Sequence, residues 1–358
     1  MRRIRITPIR MANIYLRNIA VAQIYKSFNI DLTKPTRVIA QLNYECNSKC
    51  NMCDVWRQNK KELPASIWIT ALKQLKLSLG YFTVGFAGGE ILLKDDVFEI
   101  FEFCHNAKIP YTITTNGKLL TAYNIERLLK LNPLNINISI DSLDGGVYRK
   151  IRGVSFLECV KSNIDYLMMY IRKNSLSTKV FFKTVVNNFN LNELSSIANY
   201  AREMNVSGIT FDPIRRRREI FLENKIDEFE AMANINMNTL QDSVEELIRL
   251  KNKGINILNS EKRMNHWFRI QDKDNKKRHF CSAPLRDIYI DTEGYVRLCD
   301  YSDSYIGNIA DDDIRLILIS ETTKVEKKRL TKCQNPCDYC IHRNLFDYYK
   351  IFLSYMKN

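Results

Sequence analysis

No apolar run in the 358-residue sequence is long enough to cross a bilayer, and no stretch of secretory-signal length follows the first basic residues. Low-complexity tracts and internal repeats are missing too, which argues against fibrous and solenoid architectures. Acidic residues are absent from the start of the chain: Arg2, Arg3, Arg5, Arg10, Arg17 and Lys26 all precede the first one, Asp31. Without a secretory pattern, the expectation is a cytoplasmic protein. In that reducing setting clustered cysteines are read as metal ligands rather than disulfides. Disorder is not expected either, because 45% hydrophobic residues suffice for a full core.

Positive charge is what the sequence has in excess. A net charge of +14 favours an anionic partner and leaves nucleic acid, a membrane surface, an acidic peptide and phosphate open. In the basic N-terminal stretch, Ile14, Ile19 and Ile24 can share one side of a helix, with Ala20 and Ala22 nearby. That pattern suits a membrane-surface or targeting helix. It also suits the reading preferred here, a basic helix packed on the main domain.

The length fits one large α/β domain with a smaller partner. Strands are predicted over residues 37–42, 81–87, 111–115, 135–140, 179–186 and 208–212, with helices near 65–79, 95–106, 121–131, 156–172 and 191–204. Such alternation implies right-handed βαβ units and a parallel sheet, and six units suit a partial (β/α)6 TIM-like barrel. Chemistry on that fold belongs at the C-terminal ends of the strands. The chain divides into a basic helical segment (1–35), the barrel (36–220), a charged helical connector (221–280), a small α+β cysteine-rich domain (281–343) and a C-terminal helix (344–358). Within the connector, Glu245, Glu246, Arg249 and Lys251 oppose Leu247 and Leu250. Asp291-Thr292-Glu293-Gly294 signals a hairpin.

Cys46-Asn47-Ser48-Lys49-Cys50-Asn51-Met52-Cys53 has the form C-x3-C-x2-C and directly follows the first predicted strand. Three thiolates in one loop can wrap one face of a cuboidal [4Fe–4S] cluster and leave the fourth iron open, as catalysis requires. Zinc wants four ligands in paired spacing, and no fourth ligand lies nearby. The motif and its position resemble the radical S-adenosylmethionine (SAM) superfamily. That resemblance implies that the open iron binds the amino and carboxylate groups of SAM. Met52 stands where the family usually has an aromatic residue.

Other strand ends agree with the resemblance, which covers roughly residues 36–215. Gly88-Gly89-Glu90 looks like the family's GGE motif, with Glu90 expected to accept from the SAM ammonium. Thr115 and Asn116 end the third strand. Ser139 and Asp141 end the fourth and are expected at the ribose and methionine groups. Arg152, before Gly153, is expected to face the SAM carboxylate. Lys183 lies on the fifth strand, and Ile209 and Phe211 on the sixth are expected near adenine.

Seventeen residues, Gly294 among them, separate Cys281 from Cys299, and Cys337-Asp338-Tyr339-Cys340 is C-x2-C. A hairpin pair and a knuckle pair can converge on one metal centre, as in a zinc ribbon. With Gly307-Asn308-Ile309 following, the pattern resembles the SPASM module in its short form, called twitch. The resemblance implies one auxiliary [4Fe–4S] cluster on Cys281, Cys299, Cys337 and Cys340, so the expected cofactors are two [4Fe–4S] clusters and SAM. Cys333 is the spare, open to replacing a ligand, donating hydrogen or serving structure. Cys104 and Cys159 are read as buried inert thiols.

What the resemblance implies is a radical enzyme. One electron from the first cluster cleaves SAM, and the 5′-deoxyadenosyl radical removes hydrogen from an unactivated C–H bond. A fully ligated second cluster would accept an electron, favouring net oxidation. The expected substrate is a ribosomally made peptide, which the enzyme would crosslink or excise. The alternative is a small-molecule alcohol or sugar-like substrate that it would dehydrogenate. Arg215, Arg216, Arg217 and Arg218 follow the sixth strand, either as a clamp for an acidic or phosphorylated group or as a solvated patch. Only 45 residues precede Cys46, too few for the leader-recognition domain of peptide modifiers, which leaves either a separate peptide-recognition protein or a substrate of the small-molecule kind; an electron donor such as flavodoxin or ferredoxin is expected. A zinc-containing nucleic-acid-binding protein is the remote alternative. It leaves C-x3-C-x2-C, Gly88-Gly89-Glu90 and Asp141 unexplained.

Overall fold

The computed structural model describes residues 8–58, 60–215, 226–271 and 280–333. Six strands recur between helices: β1 (Arg37–Gln41), β2 (Thr83–Ala87), β3 (Tyr111–Thr115), β4 (Asn135–Ser139), β5 (Lys179–Val186) and β6 (Gly208–Pro213). All pair in parallel with their sequence neighbours. The intervening helices Ala65–Leu79, Val97–Asn106, Ala122–Lys130, Leu157–Lys173 and Leu194–Glu203 return the chain across one face of the sheet.

Alternation along each strand divides the sheet into two faces. Val84, Phe86, Ile113, Ile136, Ile138, Val180 and Phe182 are fully buried in the apolar core with the helices. The opposite, inward face is polar. Register sets Gly85, Thr112, Asn135 and Lys179 in one row and Ser139, Lys183 and Thr210 in another.

The described strands of the cysteine-rich segment join the barrel sheet. Strand β7 (Asp287–Ile290) pairs in parallel with β1, and β8 (Tyr295–Arg297) and β9 (Gly307–Asn308) continue antiparallel, so among the described residues the sheet has nine strands in the order β6-β5-β4-β3-β2-β1-β7-β8-β9. The expected boundary at residue 281 therefore marks a change of connection, not a break in the sheet. Arg37 fixes this join by donating from Nε and Nη2 to Asp287 at 3.1 and 2.5 Å. At the other edge, Asn259 bonds both the N–H and the C=O of Phe211, at 2.9 and 2.7 Å, and so stands in for a further strand.

The N-terminal helix Pro8–Phe28 packs against the C-terminal part of the described chain. Tyr25 is buried against the Phe280 ring, and just beyond the helix Asp31 pairs with Lys327 at 2.8 Å. The expected connector holds the helices Ile226–Ala233, Met237–Asn252 and Glu261–Gln271. Among the described residues no helix is long and apolar enough to cross a membrane. The expected C-terminal helix lies outside the described residues.

Candidate functional site

The loop carrying Cys46, Cys50 and Cys53 lies at the C-terminal end of β1 and is held from both sides by backbone. On one side, Gly89 N–H donates to Asn43 O at 2.8 Å and Glu90 N–H to Glu45 O at 2.7 Å. On the other, Lys49 N–H donates to Arg152 O and Asn51 N–H to Ile151 O, both at 3.0 Å. The approaches are too close for side chains. A Cβ on Gly89 would lie 2.0 Å from Glu45 O, and one on Gly153 would lie 2.3 Å from Lys49 O. Gly153 also has φ +68°, the left-handed conformation that ends the helix Gly145–Arg152. Gly89 and Gly153 thus let the cysteine loop approach the barrel.

Burial pushes the Cys46 thiol up to about 11 and the Cys50 thiol up to about 12. These are thiols that ionise against a metal rather than against water. Among the described residues no three His, Cys, Asp or Glu side chains converge as on a single ion. A cuboidal cluster does not need that, because each cysteine binds a different iron. Two orphaned polar atoms also fit a polar guest here: Arg152 Nε and Tyr148 Oη are buried without a hydrogen-bond partner. Tyr148 is raised to about 12 by burial and feels the charges of Arg152, Asp141 and Cys50. The donor set, loop closure and orphaned groups suit a [4Fe–4S] cluster with SAM beside it.

Glu90 is fully buried, and burial raises its pKa. Its carboxylate accepts from Thr115 Oγ1 and from Asn116 N–H, each at 2.7 Å. Asn116 Nδ2 in turn donates to Asn47 Oδ1 at 2.6 Å and Ser48 Oγ at 3.2 Å, inside the cysteine loop. Three expected site residues, Glu90, Thr115 and Asn116, thus form one chain running to the loop. Asp141 accepts from Val185 N–H at 2.7 Å and pairs with Arg152 at 2.6 Å. Arg152 Nη1 approaches Cys50 Sγ at 3.9 Å. Lys183 sits on the inward face beside Ser139 and Thr210, its pKa lowered by burial.

Ile209 and Phe211 require correction. Both are fully buried in the core on the helix-facing side of β6. The inward residues of that strand are Thr210 and Asp212, in register with Lys183 and Val185. The apolar pair follows the core because the inner face of this sheet is polar.

Arg215 is not a solvated charge. It donates to Tyr301 Oη and stacks 5.5 Å from that ring, joining the end of β6 to the Cys299 loop. Arg216, Arg217 and Arg218 lie outside the described residues, as do Cys337 and Cys340. Of the described auxiliary cysteines, Cys281 N–H bonds Thr331 O at 3.1 Å, two residues before Cys333, and Arg329 feels both Cys333 and Cys299. Cys333, the spare among the expected ligands, therefore lies in the neighbourhood of Cys281 and Cys299. Cys104 is fully buried, with its thiol pushed well up by burial. Cys159 departs from expectation: it is half-buried and accepts from Lys118 Nζ at 3.3 Å.

Sequence reasoning missed Tyr148, Tyr301 and the helix Gly145–Arg152. The helix had a signal in Asp144, whose side chain caps it by accepting from Val147 N–H at 2.8 Å, and in the terminal Gly153.

A family model for the radical SAM superfamily matches residues 42–201, and one for an iron–sulfur cluster-binding domain, SPASM, matches residues 281–341. An uncharacterised protein of Methanocaldococcus jannaschii is 28% identical over 206 residues, covering 55% of this chain and 70% of that protein. A probable GTP 3′,8-cyclase of Methanothermobacter thermautotrophicus is 36% identical over 122 residues, 33% of this chain and 39% of the relative. Its counterpart in Methanococcus maripaludis is 30% identical over 45% of this chain, and the match spans 53% of that relative. Among solved structures, Streptococcus suis SuiB bound to its precursor peptide SuiA superposes with TM-score 0.65 at 17% identity, over 91% of this chain and 76% of that one. The enzyme anSMEcpe with bound AdoMet has TM-score 0.60 at 15% identity, over 90% and 96% of the two chains. With both domain models matched in chain order on this fold, the chain carries a radical SAM domain over residues 42–201 and a C-terminal SPASM iron–sulfur cluster-binding domain over residues 281–341.

Proposed function

We propose that the chain holds one [4Fe–4S] cluster on Cys46, Cys50 and Cys53, binds SAM at the remaining iron and oxidatively modifies a ribosomally made peptide. The observation that carries this is the cysteine loop clamped by backbone bonds between Glu90 and Arg152 at the C-terminal ends of parallel strands. Cluster and SAM together supply a 5′-deoxyadenosyl radical able to take hydrogen from an unactivated C–H bond.

The chain's own residues orient and enclose. Glu90, Thr115 and Asn116 hold the loop in place. Ser139, Lys183 and Thr210 line the barrel where SAM and substrate would meet. Gly88 and Gly89 let the β2 end approach the loop, and Asp141 and Arg152 set the charge beside Cys50. A second [4Fe–4S] cluster on Cys281 and Cys299, completed from Cys333, Cys337 and Cys340, would take the electron that a substrate radical gives up. An external donor such as flavodoxin or ferredoxin would reduce the first cluster.

Support for a peptide comes from the whole-chain likeness to peptide-bound SuiB and from the net charge of +14. A separate peptide-recognition protein remains part of this reading. The GTP 3′,8-cyclase relatives, matched over 45% and 33% of this chain, favour a second reading in which the anion is a nucleoside triphosphate.

Anaerobic reconstitution tests the first half. About eight irons per chain should fall to about four when Cys46, Cys50 and Cys53 become alanine, and 5′-deoxyadenosine formation should stop. SAM cleavage retained in that variant would overturn the assignment. For the substrate, GTP and a library of acidic peptides are offered in parallel. Loss of two hydrogens from a peptide supports the reading, whereas turnover of GTP alone rejects it.

A further inference from the structure

We infer that Arg152, held by Asp141, is a positioning residue that sets the reduction potential of the first cluster through Cys50. This rests on the proposed assignment of that cluster to Cys46, Cys50 and Cys53.

The main chain places Arg152 with little freedom. Its carbonyl accepts from Lys49 N–H and the preceding carbonyl, of Ile151, accepts from Asn51 N–H, each at 3.0 Å, so the helix end is tied to the residues on either side of Cys50. Gly153 closes the same contact from beneath Lys49. The side chain is fixed as well. Arg152 is 7% exposed and Asp141 is 0% exposed. The ion pair spans 2.6 Å, Asp141 is held in turn by Val185 N–H, and Arg152 Nη1 lies 3.9 Å from Cys50 Sγ. Nε, also buried, has no partner. The guanidinium therefore presents donors to the cluster side while its charge is offset from behind by Asp141.

Reduction adds one negative charge to the cluster, and its potential depends on net charge, hydrogen bonds to sulfur and solvent exposure. A buried cation beside a cysteine ligand favours the reduced form, because charges interact strongly where water is excluded. Removing it lowers the potential. Neutralising Asp141 while keeping the arginine uncovers more of the positive charge and raises it. A role confined to the SAM carboxylate would leave the potential of the SAM-free cluster unmoved.

The test is an EPR-monitored redox titration, without SAM, of anaerobically reconstituted full-length holoenzyme. Wild type is compared with Arg152→Met, Arg152→Lys and Asp141→Asn, and iron is counted in each. The expected midpoint is more negative in Arg152→Met, closer to wild type in Arg152→Lys and more positive in Asp141→Asn, with the auxiliary-cluster signal unmoved. Unchanged midpoints, or arginine and aspartate variants shifting the same way, overturn the inference. If Arg152→Met does not retain iron, Arg152→Lys and Asp141→Asn decide by moving to opposite sides of wild type or not. Failure of the underlying assignment looks different: the Cys46, Cys50 and Cys53 triple alanine variant would keep the wild-type signal and iron.

Discussion

Gly89 shows how a single hydrogen in place of a methyl group decides the site. With Glu45 O only 2.0 Å from where a Cβ would stand, and both partners backbone, nothing can yield cheaply. Gly89→Ala should leave a folded barrel by circular dichroism but displace the cysteine loop, and iron analysis should find the first cluster missing. Asp287 acts on stability instead. Burial alone would raise its pKa, but Arg37 and Arg286 outweigh burial and hold it at about 2. The unfolded value is about 3.9, so the folded pKa is the lower one. The stabilisation is therefore complete above about pH 4 and is lost as pH falls toward 2. Asp287→Asn should cost up to about 3 kcal/mol in urea unfolding at neutral pH, the low end for a broken buried pair because Arg37 is partly exposed. The difference from wild type should shrink in acid.

At the scale of elements, the strands of the barrel were legible because each is a short apolar run between turn signals, and β3 and β5 match their predicted spans residue for residue. The helix Gly145–Arg152 was not. Gly145 and Gly146 are poor helix formers, and they obscured a proper cap on each side, Asp144 before and Gly153 after. The cap supports the segment that carries Arg152. Asp144→Ala should therefore lower thermal stability by about 1 kcal/mol, and Asp144→Asn should change it little. In β6 the alternation was visible but its direction was not. Ile209 and Phe211 face the helices because the inner face of this barrel is lined by Thr112, Asn135, Ser139 and Lys183.

The described strands form one continuous sheet whose two parts come from distant stretches of the chain. β7 covers the edge of β1, and Arg37 spans the join to a residue 250 positions away. A fragment ending at residue 280 should therefore expose that edge and aggregate in size-exclusion chromatography, although it contains every barrel strand. Across the mouth, Arg215 and Tyr301 link the end of β6 to the Cys299 loop, which brings the two ends of the open sheet toward each other.

Local chemistry needs only neighbours in sequence, so the sequence by itself determined the cysteine motifs, the six barrel strands and the residues at their C-terminal ends. Contacts across hundreds of positions carry no local signal. Tertiary structure alone decided that the cysteine-rich segment extends the barrel sheet, that Glu90 anchors Thr115 and Asn116, and that Arg152 reaches Cys50 instead of open solvent. Each of these depends on which buried charge or strand edge finds a partner, and only the closed packing of the chain settles that.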